Sequence, residues 1–188
     1  MTRQLLHKPV KNSRTSTPRV LSPIDQLLAN NRAYANSRHN IPPSEAITPP
    51  LNTAIVTCMD CRIPIEEALG LQNGQAYVIR NAGNIVTEDV IRSLILAVET
   101  REVQNILIIG HTDCALSKFN EDKFKTQLAD DYKCAPCVPA KFHAFPNIRK
   151  NIRTQLAKLK AHPYLTKATN IRGFIFDVNT GKLRELTS

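Results

Sequence analysis

No apolar run in this 188-residue chain approaches the roughly 20 residues that a helix needs to cross a bilayer. The longest, such as Ile106 to Ile109, are a fraction of that length, so a membrane-spanning helix is excluded. The N-terminus lacks the apolar core of a secretory leader, and export is not expected. Acidic residues are missing before Asp25 and again from Tyr132 to Phe176, while Lys and Arg recur in both stretches and the formal net charge is +9. Such stretches mark nucleic-acid binding in some proteins. Here no compact Lys/Arg block or helix-turn-helix signature accompanies them, so nucleic acid is not an expected partner. They read instead as solvated basic faces, or as surface that concentrates small anions. No internal repeat is found at any fixed period.

What is present is an ordinary globular composition, 42% hydrophobic and 22% charged. A chain of this length buries a sizeable core without metal or disulfide staples. Any metal is therefore expected to serve chemistry rather than rescue the fold. Five cysteines without an export signal point to a reducing compartment, where thiols bind metal or do redox work. The expected location is the cytoplasm. The basic, Ser/Thr-rich residues 1–20 make a mitochondrial or other organelle address the alternative.

Three segments are expected: a disordered or targeting tail at 1–22, an N-terminal helical arm and loop at 23–50, and a compact domain at 51–188. Residues 1–22 and 38–50 are rich in Pro, Ser, Thr and Asn and read as loops. Between them, Pro23 to Arg38 reads as a helix with Ile24, Leu27 and Leu28 on one face. Ala54 to Thr57, Ala76 to Ile79, Ile106 to Ile109 and Gly173 to Val178 read as strands. Helices are expected from Pro64, from the Thr87 cap onward, and from Asn147 to His162. Alternating strands and helices predict an α/β fold, a mostly parallel sheet core flanked by helices on both sides, with the N-terminal helical arm added.

Cys58 lies at the end of the first strand, and Gly110-His111-x-x-Cys114 at the end of the third. Ligands bind open parallel sheets outside the carboxyl ends of the strands, where strand order reverses. Two strand ends more than fifty residues apart in sequence can therefore meet. Two thiolates and an imidazole suit zinc, and three protein ligands leave the fourth tetrahedral position open for chemistry. Asp60 and Arg62 follow Cys58 at two and four residues. An Arg grips a carboxylate bidentately and keeps it ionised. Such an Asp could accept a proton from a metal-bound water, orient it, or itself swing in and take the fourth position.

Thr57-Cys58-Met59-Asp60-Cys61-Arg62, Arg80-Asn81-Ala82-Gly83 and Gly110-His111-Thr112-Asp113-Cys114 resemble the β-class carbonic anhydrases. Phe142-His143-Ala144-Phe145, Leu159 to Pro163 and Ile171 to Val178 are similar to the endings of small members. The resemblance covers roughly residues 24–186. It implies a homodimer or higher homo-oligomer with one Zn2+ per subunit held by Cys58, His111 and Cys114, with Asp60 and Arg62 as a catalytic dyad. It implies reversible hydration of carbon dioxide to bicarbonate by hydroxide formed on the zinc. Some relatives hydrolyse carbonyl sulfide or carbon disulfide, which makes that activity the alternative. Cys61, Asn84 and Ala115 depart from the common family pattern, but none is an expected ligand.

Three other readings compete. Cys58/Cys61 and Cys134/Cys137 form two Cys-x-x-Cys pairs, a spacing used by thiol–disulfide oxidoreductases. That reading leaves Asp60, Arg62, His111 and Cys114 without a role. A structural zinc ribbon would use both pairs, but the stretch between them is far longer than ribbon spacing. A non-enzymatic binding module would hold zinc without turnover.

Overall fold

Strand β1 (Thr53–Cys58) is built on the apolar run Ala54-Ile55-Val56 and is buried from Ala54 to its end. It is flanked by β2 (Tyr77–Asn81) and β3 (Asn105–His111), both parallel to it. β4 (Asn170–Phe176) pairs in parallel with β3, and β5 (Leu183–Glu185) closes that side antiparallel. The sheet order is β2-β1-β3-β4-β5. The chain leaves β1 toward one edge and returns through β3 toward the other, so strand order reverses between β1 and β3. The computed structural model describes residues 22–37, 48–133, 139 and 141–186. Most of the 1–22 tail, most of the 38–50 loop, and Cys134 and Cys137 lie outside the described residues.

The chain divides into two units, 1–44 and 45–188. In the first, helix α1 runs Pro23–Ser37, and Arg38, the last residue of its sequence reading, lies outside the described residues. The Ser22 hydroxyl accepts the Asp25 N–H at 3.2 Å and donates to its carboxylate at 2.7 Å, which starts the helix.

In the second unit, α2 (Ile65–Ala68) follows β1, and α3 (Glu88–Arg101) lies between β2 and β3. The Thr87 hydroxyl accepts the Val90 N–H at 3.4 Å, and Glu88 and Asp89 complement the positive end of the helix. α4 (Glu121–Tyr132) and α5 (Ile148–Lys160) come between β3 and β4. One face of the sheet buries Val90, Leu94, Ala97 and Val98 of α3, and Ile152 and Leu159 of α5, against Val56, Ile106 and Ile108. Gly110 and Gly173 let α5 approach closely: a Cβ at either would fall 2.6 Å from an Ile148 or Ile152 methyl. The other face carries Ile55, Ile109 and Phe176 under Ile63, Ile65, Ile85 and Phe145. Its cover is short helix and loop rather than long helix, and it is there that the site opens.

Candidate metal centre

Parallel pairing sets the ends of β1 and β3 side by side, with Thr57 opposite Ile109. Cys58 therefore finishes one strand beside His111, which finishes the other. After His111 the chain turns through Asp113, at φ 54°, and brings Cys114 back. Asp is among the few side chains that tolerate this left-handed conformation. Cys58, His111 and Cys114 are all buried, and their ligand atoms lie within 4.8 Å of one another. Both His111 ring nitrogens are buried with no hydrogen-bond partner. Leaving such groups unmatched costs about 1–3 kcal/mol each. A cation held between the three side chains would satisfy one of them, and two sulfurs with an imidazole are a zinc donor set. The residues fit the metal.

The two thiols are electrically unequal. The Cys114 side chain hydrogen-bonds to Cys58 and draws its thiol well below the ordinary range. His111 and the N–H of Gly83, 3.3 Å from the sulfur, act in the same direction against the opposing effect of burial. The shared hydrogen bond and burial push Cys114 up.

Asp60 and Arg62 stand beside this cluster. Arg62 donates from Nε to Asp60 Oδ1 at 3.0 Å and from Nη2 to Oδ2 at 2.8 Å, and its own backbone N–H adds a third bond at 2.9 Å. These bonds hold the Asp60 carboxyl well below the usual carboxylate range, with the Arg62 side chain the largest cause. Asp60 Oδ2 lies 3.9 Å from His111 Nε2, so the dyad faces the ligands. All five residues expected from sequence come together.

Sequence reasoning missed the supports. Arg80 donates from Nε to the Cys58 carbonyl at 3.0 Å and from Nη2 to the Asp60 carbonyl at 2.7 Å, which fixes the turn that carries the dyad. The Asn81 side chain closes the next turn through the Ile85 N–H and carbonyl, at 2.9 and 2.7 Å. That turn aims the Gly83 N–H at Cys58. Gly83 itself has φ 79°, and a Cβ there would meet Leu116 at 2.6 Å and Phe145 at 3.1 Å. Both arginine and glycine stood in a recognisable motif, but nothing in spacing alone revealed what they touch. Cys61 is exposed and outside the cluster, so it is not a third sulfur ligand. Asn84, at φ 53°, occupies a left-handed position that Asn tolerates better than most residues.

The carbonic anhydrase family model matches residues 53–183. The chain is 40% identical over 166 residues to β-carbonic anhydrase 1 of Mycobacterium tuberculosis, covering 87% of this chain and 97% of that one. It is 33% identical over 153 residues to a carbon disulfide hydrolase of Saccharolobus solfataricus, covering 70% and 75%. The crystal structure of a Streptococcus mutans carbonic anhydrase superposes with a TM-score of 0.79 at 36% identity, covering 89% of this chain and 99% of that one.

Proposed function

The chain belongs to the carbonic anhydrase family, in its β-class, and on that premise we propose that it hydrates carbon dioxide reversibly to bicarbonate at a zinc centre formed by Cys58, His111 and Cys114. The observation that carries this reading is the ionised Asp60, forked onto Arg62 and facing a buried Cys–His–Cys cluster. Zinc, when bound, acidifies a water molecule and supplies a hydroxide nucleophile near neutral pH.

The chain's own residues do the rest. Asp60 offers a carboxylate oxygen beside the cluster, where it accepts a hydrogen bond and orients the nucleophile. Arg62 keeps that carboxylate charged and in place. Ile63, Ile65, Ile85 and Phe145 pack in one buried apolar cluster with Cys58 and Cys114, surroundings that suit a small substrate without charge. The active form is taken to be a homodimer or higher homo-oligomer.

A second reading has a specific support, the similarity to carbon disulfide hydrolases. Carbonyl sulfide and carbon disulfide are linear and apolar like carbon dioxide, and shape discrimination between such molecules is modest, about 1–3 kcal/mol per methylene-sized difference. One experiment tests both readings. Protein purified without chelator is analysed for zinc, then assayed by stopped flow for carbon dioxide hydration and in parallel for carbonyl sulfide and carbon disulfide hydrolysis. One zinc per chain with the greatest catalytic efficiency on carbon dioxide is expected. Absence of zinc would overturn the metal centre, and a higher efficiency on either sulfur compound would overturn the choice of substrate.

A further inference from the structure

Arg62 has a second carboxylate partner. Its Nη1 donates to Asp113 Oδ2 at 3.0 Å, and its Nη2 donates to the Asp113 carbonyl at 3.0 Å. Asp113 is 51 residues away in sequence, on the turn between His111 and Cys114. Its other carboxylate oxygen takes the Lys118 Nζ at 2.5 Å. The guanidinium therefore spans the two strand ends: its Nε and Nη2 fork onto Asp60, and its Nη1 and the same Nη2 tie it to the His111–Cys114 turn. We propose that Asp113 is a positioning residue for the reaction, pinning Arg62 so that Asp60 stays forked on it and does not move in onto the metal position.

The argument is geometric. Arg62 and Asp113 are each about half exposed, so these ion pairs add little to stability. Their effect is on placement. A long, half-exposed arginine held by Asp60 alone would move with Asp60 and leave it free to follow the metal. Asp60 Oδ2 is already 3.9 Å from His111 Nε2, so a small rotation brings it to the cluster. Arg62 tied at both strand ends resists that rotation. The left-handed backbone at Asp113, φ 54°, is part of the device, because it turns the carbonyl as well as the carboxylate of one residue toward Arg62. Lys118 then balances the charge of Asp113, so that Asp113 orients Arg62 without competing fully with Asp60 for it.

This inference rests on reading the cluster as a zinc centre, and the test separates the two. Asp113→Gly removes the carboxylate while keeping the carbonyl and suiting the left-handed backbone. Asp113→Asn keeps one acceptor oxygen. Each variant is prepared with zinc for kinetics and with cobalt(II) for visible absorbance, and thiocyanate is titrated into the cobalt form. Thiocyanate needs the fourth metal position, so its apparent affinity falls by the fraction of molecules in which Asp60 has taken that position.

In Asp113→Gly, metal content should be unchanged, kcat should fall about tenfold with little change in KM, and thiocyanate should bind several-fold more weakly. Asp113→Asn should recover most of both losses. In an Asp60→Asn background, Asp113→Gly should leave thiocyanate binding unchanged, because no carboxylate remains to swing in. Wild-type kcat and thiocyanate affinity in Asp113→Gly would overturn the proposal. So would loss of metal, or equal weakening in the Asp60→Asn background. Failure of wild-type protein to bind zinc or cobalt would instead overturn the metal centre itself.

Discussion

At the scale of single residues, the proposed function assigns the metal to one set of groups and the management of its chemistry to another. Asp60→Asn and Arg62→Ala should keep zinc, since neither belongs to the Cys58–His111–Cys114 cluster. Each should lose about a hundredfold or more in kcat, the range for a general acid–base or positioning group. Full activity in either would refute the dyad. The sign of the Asp60 shift also bears on pH. Its carboxyl is depressed below the ordinary value of 3.8, so it stays ionised as pH falls through the neutral and mildly acid range. An acid limb of activity above pH 5 therefore belongs to another group, and it should persist in Asp60→Asn measured at high enzyme concentration. Cys61→Ser should leave zinc content and activity unchanged, because Cys61 is exposed and outside the cluster. Loss of metal in that variant, measured by elemental analysis, would force a new ligand set. The thiol–disulfide reading loses ground on the same geometry, since Cys58 meets Cys114 rather than Cys61.

At the scale of elements, α4 and the segment after it form a small unit beside the site. Phe119, Phe124 and Phe142 pack edge to face with ring centroids 5.0 to 5.9 Å apart. Glu121 accepts the backbone N–H of Phe142 at 2.8 Å and of Ala144 at 3.3 Å, while Lys125 pairs with it at 3.0 Å. Phe145 follows directly, and it walls the cluster. The Phe142 N–H, Lys125 and the Ala144 N–H draw the Glu121 carboxyl from 4.5 down to about 2. A depressed carboxyl adds stability that is complete above its unfolded value and lost as pH falls through its folded one. Glu121→Gln should therefore lower the melting temperature by a few degrees at pH 7. The gap to wild type should close between pH 4.5 and about 2. A gap independent of pH over that interval would show that packing, not charge, holds the segment.

This unit was invisible in the sequence. α4 buries no residue, so it has no apolar stripe to betray a 3.6-residue period. β5 has three residues, too few for an alternation to register. By contrast β1 and β3 are buried nearly end to end and read as continuous apolar runs. Cys58, His111 and Cys114 were legible as a cluster because they sit where such runs stop. Arg80, Asp113 and the Gly83 N–H were not, because each acts on a partner more than twenty residues away that only the strand pairing brings near.

At the scale of the whole molecule, the two edges of the sheet are unlike. The β5 edge is short and charged, with Arg172 and Arg184 paired to Glu185 and Asp177. Short, charged edges discourage further strand pairing. The β2 edge is apolar. Tyr77, Val78 and Ile79 of β2, with Leu96 and Ala97 of α3, line a groove of ≈ 420 Å³, and Leu96 is 52% exposed beside it. An apolar groove along an open edge is a natural seat for a second copy of the chain, because it covers apolar surface and protects the edge at once. Light scattering should therefore give a mass at least twice the 21.0 kDa of one chain. Leu96→Glu should shift the population toward the single chain, since an unpaired carboxylate in a dry interface costs several kcal/mol. Leu96 lies on the α3 face, away from the Cys58 cluster, so zinc content should not change with the mass. A fall in carbon dioxide hydration that tracks the monomer fraction would then mean that the second copy completes the site. Unchanged mass in Leu96→Glu would place the interface elsewhere, and a single-chain mass for the wild type would remove the need for a partner altogether.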